Sequence, residues 1–241
     1  MKKVIIIAAI VVVVVTCTML ALRSWPGSLT GSGNLETEEY AFTDFTEVEI
    51  GSAFEFEIEQ SSSYSINVTA DDNIIGYVQV SQDGQTMKIR LRRVIWLGPV
   101  TLRVSATMPQ LHRLTASGAS RGTVSDFSST EDLDITVSGA SRVTGDIVAS
   151  NVAFDISGAS TIQLEGSAND IDANVSGASH LNLEAFPVNN AEVNFSGASS
   201  GTVNLNGKLD ANISGASRLW YIGEPTMGDI KKSGASKISK R

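Results

Sequence analysis

At a spacing of about 19 residues, the second half of the chain returns oxygen-bearing side chains to the same offsets. Thr136, Asp155, Asn174, Asn194 and Asn212 share one offset, and Asp134, Ala153, Asp172, Glu192 and Asp210 share another two residues earlier. If successive repeats stack as strands, each offset becomes a column with steps of about 4.8 Å. Amides and carboxylates in such columns suit two kinds of chemistry. They can hydrogen-bond a saccharide, or hold a hard cation such as Ca²⁺, which prefers oxygen ligands. The candidate recognition face is therefore Asp155, Asn174, Asn194 and Asn212, with Asp172 and Asp210 beside it. The plainer reading is that these ladders only solvate the outside of the fold. Stacked carboxylates repel one another, so a bound cation or raised carboxyl pKa values are the expected consequence.

Signatures of covalent or metal catalysis are missing. The chain has no nucleophile elbow, HExxH, CxxC or phosphate-binding loop, and only two histidines, His112 and His180. Its single cysteine, Cys17, excludes an internal disulfide framework and a cysteine metal cluster. An Asp pair such as Asp155 and Asp172 could serve a carbohydrate-active enzyme, a polysaccharide lyase or hydrolase, as acid and base. Such a site needs a cleft with aromatic platforms, and the repeat region has few aromatic residues. No catalytic, cofactor-binding or metal-binding residue is assigned.

The elements that position these columns announce themselves by a repeat. Ser-Gly-Ala-Ser occurs seven times, beginning at Ser117, Ser138, Ser157, Ser176, Ser196, Ser214 and Ser233. Before the inner copies, apolar residues alternate with polar ones: Ile135/Val137, Phe154/Ile156, Ala173/Val175, Val193/Phe195 and Ala211/Ile213. A period of two marks strands with one inward face, and no helical period appears. A repeat of this length made only of strands predicts stacked coils, each burying its core against its neighbours. The fold class is therefore all-β, a right-handed parallel β-helix of about 19-residue coils, its hand taken from the crossover rule. Ser-Gly-Ala-Ser is read as the corner. Glycine supplies the backbone angles of a sharp turn, and small side chains let coils approach. Lys232 replaces the inward apolar residue before the last copy, as a polar cap should.

At the other end, Val4 to Leu22 is a nineteen-residue, almost wholly apolar run, long enough to cross a bilayer as a helix. Lys2 and Lys3 before it favour export of the residues beyond Leu22. An uncleaved signal anchor is the preferred reading, since no small-x-small cleavage site succeeds the run; a lipoprotein anchored at Cys17 is the alternative. The chain divides into a signal anchor or transmembrane helix (1–23), a flexible linker (24–40) and a β-helical domain (41–241). Irregular strands occupy 41–110 and the repeats 111–241.

Charge narrows the partners. The formal net charge is −8, and all 26 acidic residues lie after Arg23. Phosphate neutralisation needs Lys and Arg, so nucleic acid is excluded as a partner. Within the last eleven residues, however, five are basic. The residues directly after each corner, Arg121, Arg142, Thr161, His180, Ser200, Arg218 and Lys237, are also mostly basic and offset the acidic columns.

The stretches "FTEVEIGSAFEFEIEQ", "DDNIIGYVQV" and "DGQTMKI", together with serial Ser-Gly-Ala-Ser, resemble the bacterial auto-transporter adhesin head (GIN) domain over residues 41–241. The resemblance implies a secreted or membrane-tethered β-helical protein and brings no catalytic residues with it. The expected function is a non-catalytic, membrane-tethered, extracytoplasmic scaffold or adhesion module. Its partners would be the membrane through Val4–Leu22 and a cell-surface glycan or protein.

Overall fold

The computed structural model describes residues 28–92 and 96–241. The apolar run Val4–Leu22 and Cys17 lie outside the described residues. Among those described, no helix is long and apolar enough to cross a membrane.

The chain winds as a parallel β-solenoid of coils close to 19 residues. One coil shows the plan. The strand Asn151–Ile156 leads into the corner Ser157–Ser160, the strand Thr161–Ser167 leads away, and the next coil opens with Asp170–Val175. Through the repeats, strands before a corner pair in parallel with their counterparts one coil away, and so do strands after one. The first set belongs to a ten-stranded sheet and the second to an eleven-stranded sheet.

The sequence alternation explains the pairing. Val152, Phe154 and Ile156 point inward, as do Ile162 and Leu164, all at most 1% exposed. A slip of one residue would turn every one of these side chains into water. Burial of each large apolar side chain contributes about 1.5–3 kcal/mol, so the register is strongly held.

Each residue of the Ser-Gly-Ala-Ser corner has its own place. The first serine is exposed or partly buried, and glycine and alanine face solvent. The glycine takes a left-handed φ in all seven copies, from 65° to 78°. From Gly158 onward a methyl group there would lie 2.3–2.6 Å from the carbonyl oxygen of the preceding glycine in the stack. The alanine donates its N–H to that same oxygen, as in Ala178 to Gly158 at 2.8 Å. The second serine turns inward: Ser120, Ser141, Ser160, Ser179, Ser199 and Ser217 are at most 2% exposed. Where its hydroxyl closes the turn, it donates to the carbonyl three residues earlier, as Ser120 and Ser199 do at 2.8 and 2.9 Å.

Regular winding begins earlier than the motif. The strands Glu47–Ile50 and Glu55–Gln60 pair in parallel with Arg113–Ala116 and Arg121–Ser128. Between them, Gly51-Ser52-Ala53-Phe54 forms a corner beneath Ser117–Ser120, with Ser52 and Ala53 at φ of 64° and 63°. Buried Phe54 stands where later coils place serine. This corner escapes the motif because its letters differ while its turn does not.

Antiparallel strands close the amino-terminal end. Ser65–Asp71 runs against Leu102–Met108, and Val78–Asp83 hairpins onto Thr86–Leu91 through the two-residue turn Gly84-Gln85. A single helical turn, Asp72–Ile75, buries Ile74 and Ile75. The expected flexible linker 24–40 is corrected over its described part: Leu35–Glu39 pairs antiparallel with residues 67–71, and Ser28–Leu29 pairs with Trp96–Leu97. Buried Asp71 fastens this segment, accepting from the N–H groups of Gly33 at 2.8 Å and Thr101 at 2.7 Å. Those two hydrogen bonds hold its carboxyl below the usual carboxylate range.

At the carboxyl end, Lys232 lies opposite Ile213 in the inward column and is itself exposed. Met227 is 44% exposed on the same strand. The final coil is thus a polar edge over a thinning core.

Candidate functional site

The expected columns exist and lie on the outer face of the ten-stranded sheet. Pairing aligns Thr136, Asp155, Asn174, Asn194 and Asn212 strand by strand, and aligns Asp134, Ala153, Asp172, Glu192 and Asp210 beside them. Lys231 continues the first column on the last coil. Asp155, Asn174, Asn212 and Asp172 are exposed, whereas Asn194 and Asp210 are partly buried. The strand pleat decides this, since outward residues at every second position share one face. Within the face, Asn174 donates to Asp172 at 3.4 Å. A narrow trough of about 150 Å³ runs over Asp155, Asn174, Asn194 and Asn212.

A third column, which the repeat letters do not reveal, edges this face at the corner opposite Ser-Gly-Ala-Ser. Asn151 donates both its N–H and its amide to Asp132, at 3.1 and 2.9 Å. Asn190 does the same to Asp170 at 3.0 and 2.8 Å. With Asp134, Asp172, Glu192 and Asp210 these residues line a shallow trough of about 440 Å³, over Ala153. Asp and Asn at a shared offset were the available signal, hidden because this corner has no fixed letters.

Repulsion within the columns is relieved by basic neighbours. Arg113 bridges Glu47 at 3.3 Å and Asp134 at 3.0 Å, and Lys208 pairs with Asp210 at 2.7 Å. Asp210, where stacking alone predicts a raised carboxyl, is instead held low, first by Lys208 and then by the Asp229 N–H. Among the described residues no three His, Cys, Asp or Glu side chains group to hold a metal ion. Parallel strands aim their side chains outward side by side, about 4.8 Å apart at each step. Asp155 and Asp172 sit on adjacent strands, both exposed.

The basic residues after each corner lie on the other sheet. Arg121, Arg142, Thr161, His180, Ser200, Arg218 and Lys237 form one column along the solenoid. His180 is half-buried, with Nδ1 2.9 Å from the Ser200 hydroxyl. Burial, and secondarily the Arg142 charge, lower its pKa against the opposing effect of the Ser200 contact.

The family model described as "Putative auto-transporter adhesin, head GIN domain" matches residues 44–225. The chain belongs to this family. Solved structures show similar folds. A putative adhesin from Bacteroides fragilis superposes with a TM-score of 0.84 at 21% identity, over 89% of this chain and 100% of that one. A putative adhesin from Parabacteroides merdae gives 0.68 at 19% identity, over 90% and 100%. A protein from Parabacteroides distasonis described as a putative lipid binding protein gives 0.71 at 23% identity, over 89% and 99%. At these identities the likeness is one of fold. No curated protein matches the chain.

Proposed function

We propose that this GIN-domain chain is a non-catalytic surface module. It works as a scaffold or adhesion element whose outer sheet faces bind a cell-surface glycan or protein. The observation that carries the reading is the continuous ladder Asp155, Asn174, Asn194 and Asn212, held in register over four consecutive coils. Amide and carboxylate groups repeated at strand spacing present both donors and acceptors to an extended, repetitive ligand. Asp172 and Asp210 belong to the same face, and the adhesin descriptions of two related structures agree with such a role.

The apolar run Val4–Leu22, preceded by Lys2 and Lys3, supports a membrane tether with the solenoid outside the cytoplasm. Cys17 supports lipid anchoring as the alternative. The right-handed winding expected of parallel crossovers completes the picture.

The test uses the full chain in neutral detergent, screened against glycans, peptidoglycan and matrix proteins with and without Ca²⁺. Saturable binding that is lost in the Asn174→Ala/Asn194→Ala/Asn212→Ala variant supports the face. Binding that the triple variant leaves intact removes the ladder from the recognition surface. A folded protein that binds nothing in the screen leaves the scaffold role alone.

A further inference from the structure

The eleven-stranded sheet carries a second surface of opposite character. The column beside the corners runs Arg103, Glu55, Arg121, Arg142, Thr161, His180, Ser200, Arg218 and Lys237, one residue per strand. At about 4.8 Å per strand it extends roughly 38 Å along the solenoid.

Beyond the Arg103–Glu55 pair at its first step, the charges of this column are not spent on internal pairing. Arg121, Arg142, Arg218 and Lys237 are exposed, and among the described residues none lies in an ion pair. On the opposite sheet, Lys88, Arg113, Lys208 and Lys231 are each paired with a carboxylate. The column thus leaves two adjacent pairs of free cations, Arg121 with Arg142 and Arg218 with Lys237. Between them lie three coils of hydrogen-bonding groups, Thr161, His180 and Ser200.

Past Glu57, the neighbouring outward column supplies polar contacts in place of charge. From Glu57 it runs through the Thr123 and Thr144 hydroxyls, Gln163 and Asn182 to half-buried Trp220; between the last two, Thr202 is buried. Around Arg103, Arg121 and Arg142 the two columns form an open trough of about 470 Å³, lined also by Thr123 and Thr144 and, at its Arg103 end, by the carboxylates Glu55 and Glu57. At the far end, half-buried Trp220 lies two residues from Arg218 on the same face. Hydroxyls, amides and an aromatic ring beside guanidinium groups suit a sugar chain. The exposed large apolar residues Leu35, Tyr77, Val148 and Met227 all lie off these two columns, as a membrane-inserting surface would not arrange them.

We propose that this stripe is a binding site for a linear acidic polysaccharide, bearing sulfate or uronate groups, laid along the solenoid axis. Arg121 and Arg142 take its acidic groups at one end and Arg218 and Lys237 at the other, while the threonine and amide column meets its hydroxyls. The site is separate from the Asn174–Asn212 ladder and does not depend on it. Because the whole chain is net negative, attraction is local and fades with salt.

The test titrates the full chain in neutral detergent with a heparin oligosaccharide and with its desulfated form, at low and physiological salt. Saturable binding is expected, tighter for the sulfated form, which carries more charge than its uronate-only counterpart, and weakening about tenfold or more across that salt range. Arg121→Gln/Arg142→Gln and Arg218→Gln/Lys237→Gln should each lose roughly tenfold in affinity. The Asn174→Ala/Asn194→Ala/Asn212→Ala variant should bind as the parent does, which separates this site from the first. All these substitutions replace exposed or partly exposed side chains, and unchanged circular dichroism melts verify folding. Three results would overturn the proposal: no saturable binding, binding by both double variants equal to the parent's, or a preference for anionic phosphatidylglycerol vesicles that the oligosaccharide does not displace.

Discussion

Replacing Gly177 by alanine tests the account of the corner most directly. Gly177 sits at φ +75°, and an added methyl would lie 2.3 Å from the Gly158 carbonyl oxygen. Two costs add. An alanine in the left-handed region is disfavoured by about 1–2 kcal/mol. The methyl also forces two coils apart, weakening the Ala178-to-Gly158 hydrogen bond at 2.8 Å and its neighbour from Ala198 to Gly177. At about 1 kcal/mol for each such bond, the total is about 3–4 kcal/mol. Gly84 is the control, because it has φ +59° but nothing within 4 Å of the added methyl. Gly84→Ala should therefore cost only the conformational part. For a domain of this size, about 2–4 °C is lost per kcal/mol. The expected fall in melting temperature, monitored by circular dichroism, is then about 10 °C for Gly177→Ala and about 4 °C for Gly84→Ala. Equal shifts would refute the idea that close approach, rather than backbone angle alone, fixes glycine in the stack.

The carboxyl end and the basic column carry two more expected outcomes. Lys232→Ile restores the apolar residue that Ile213 provides one coil earlier and should increase self-association in sedimentation velocity; sedimentation identical to the parent removes Lys232 as the cap. His180 has a folded-state pKa below its ordinary 6.5, so the unfolded chain binds more protons between the two values. Its contribution is complete above pH 6.5 and is lost as pH falls through that value towards the folded pKa. His180→Gln should flatten the pH dependence of denaturant unfolding below about pH 7, and an unchanged slope would show that the histidine is not sensed.

The architecture is legible in the repeat alone. Val152-Ala153-Phe154-Asp155-Ile156 can satisfy its alternation only as a strand with one face buried, and the same pattern recurs at each inner coil. Its spacing puts Asp155, Asn174, Asn194 and Asn212 in one outward column, as the pairing shows. Where the letters change, legibility ends. Gly51-Ser52-Ala53-Phe54 builds a corner in the same stack with a phenylalanine where serine usually stands. Leu35–Glu39 has the look of a spacer because all five residues are exposed, yet an edge strand can be held by backbone pairing alone.

The sequence by itself determined the coil, its register through the repeats and the membership of the columns flanking each Ser-Gly-Ala-Ser, because inward burial is a local periodic constraint. Which charges remain free was decided only by tertiary structure. Arg113 and Arg121 are eight residues apart and chemically alike, but the corner between them puts them on different sheets. One is ion-paired with Glu47 and Asp134, and the other forms no ion pair among the described residues, although Glu55 is its neighbour on the next strand. The partners of Arg113 come from other coils, and they stand beside it only once the coils are stacked.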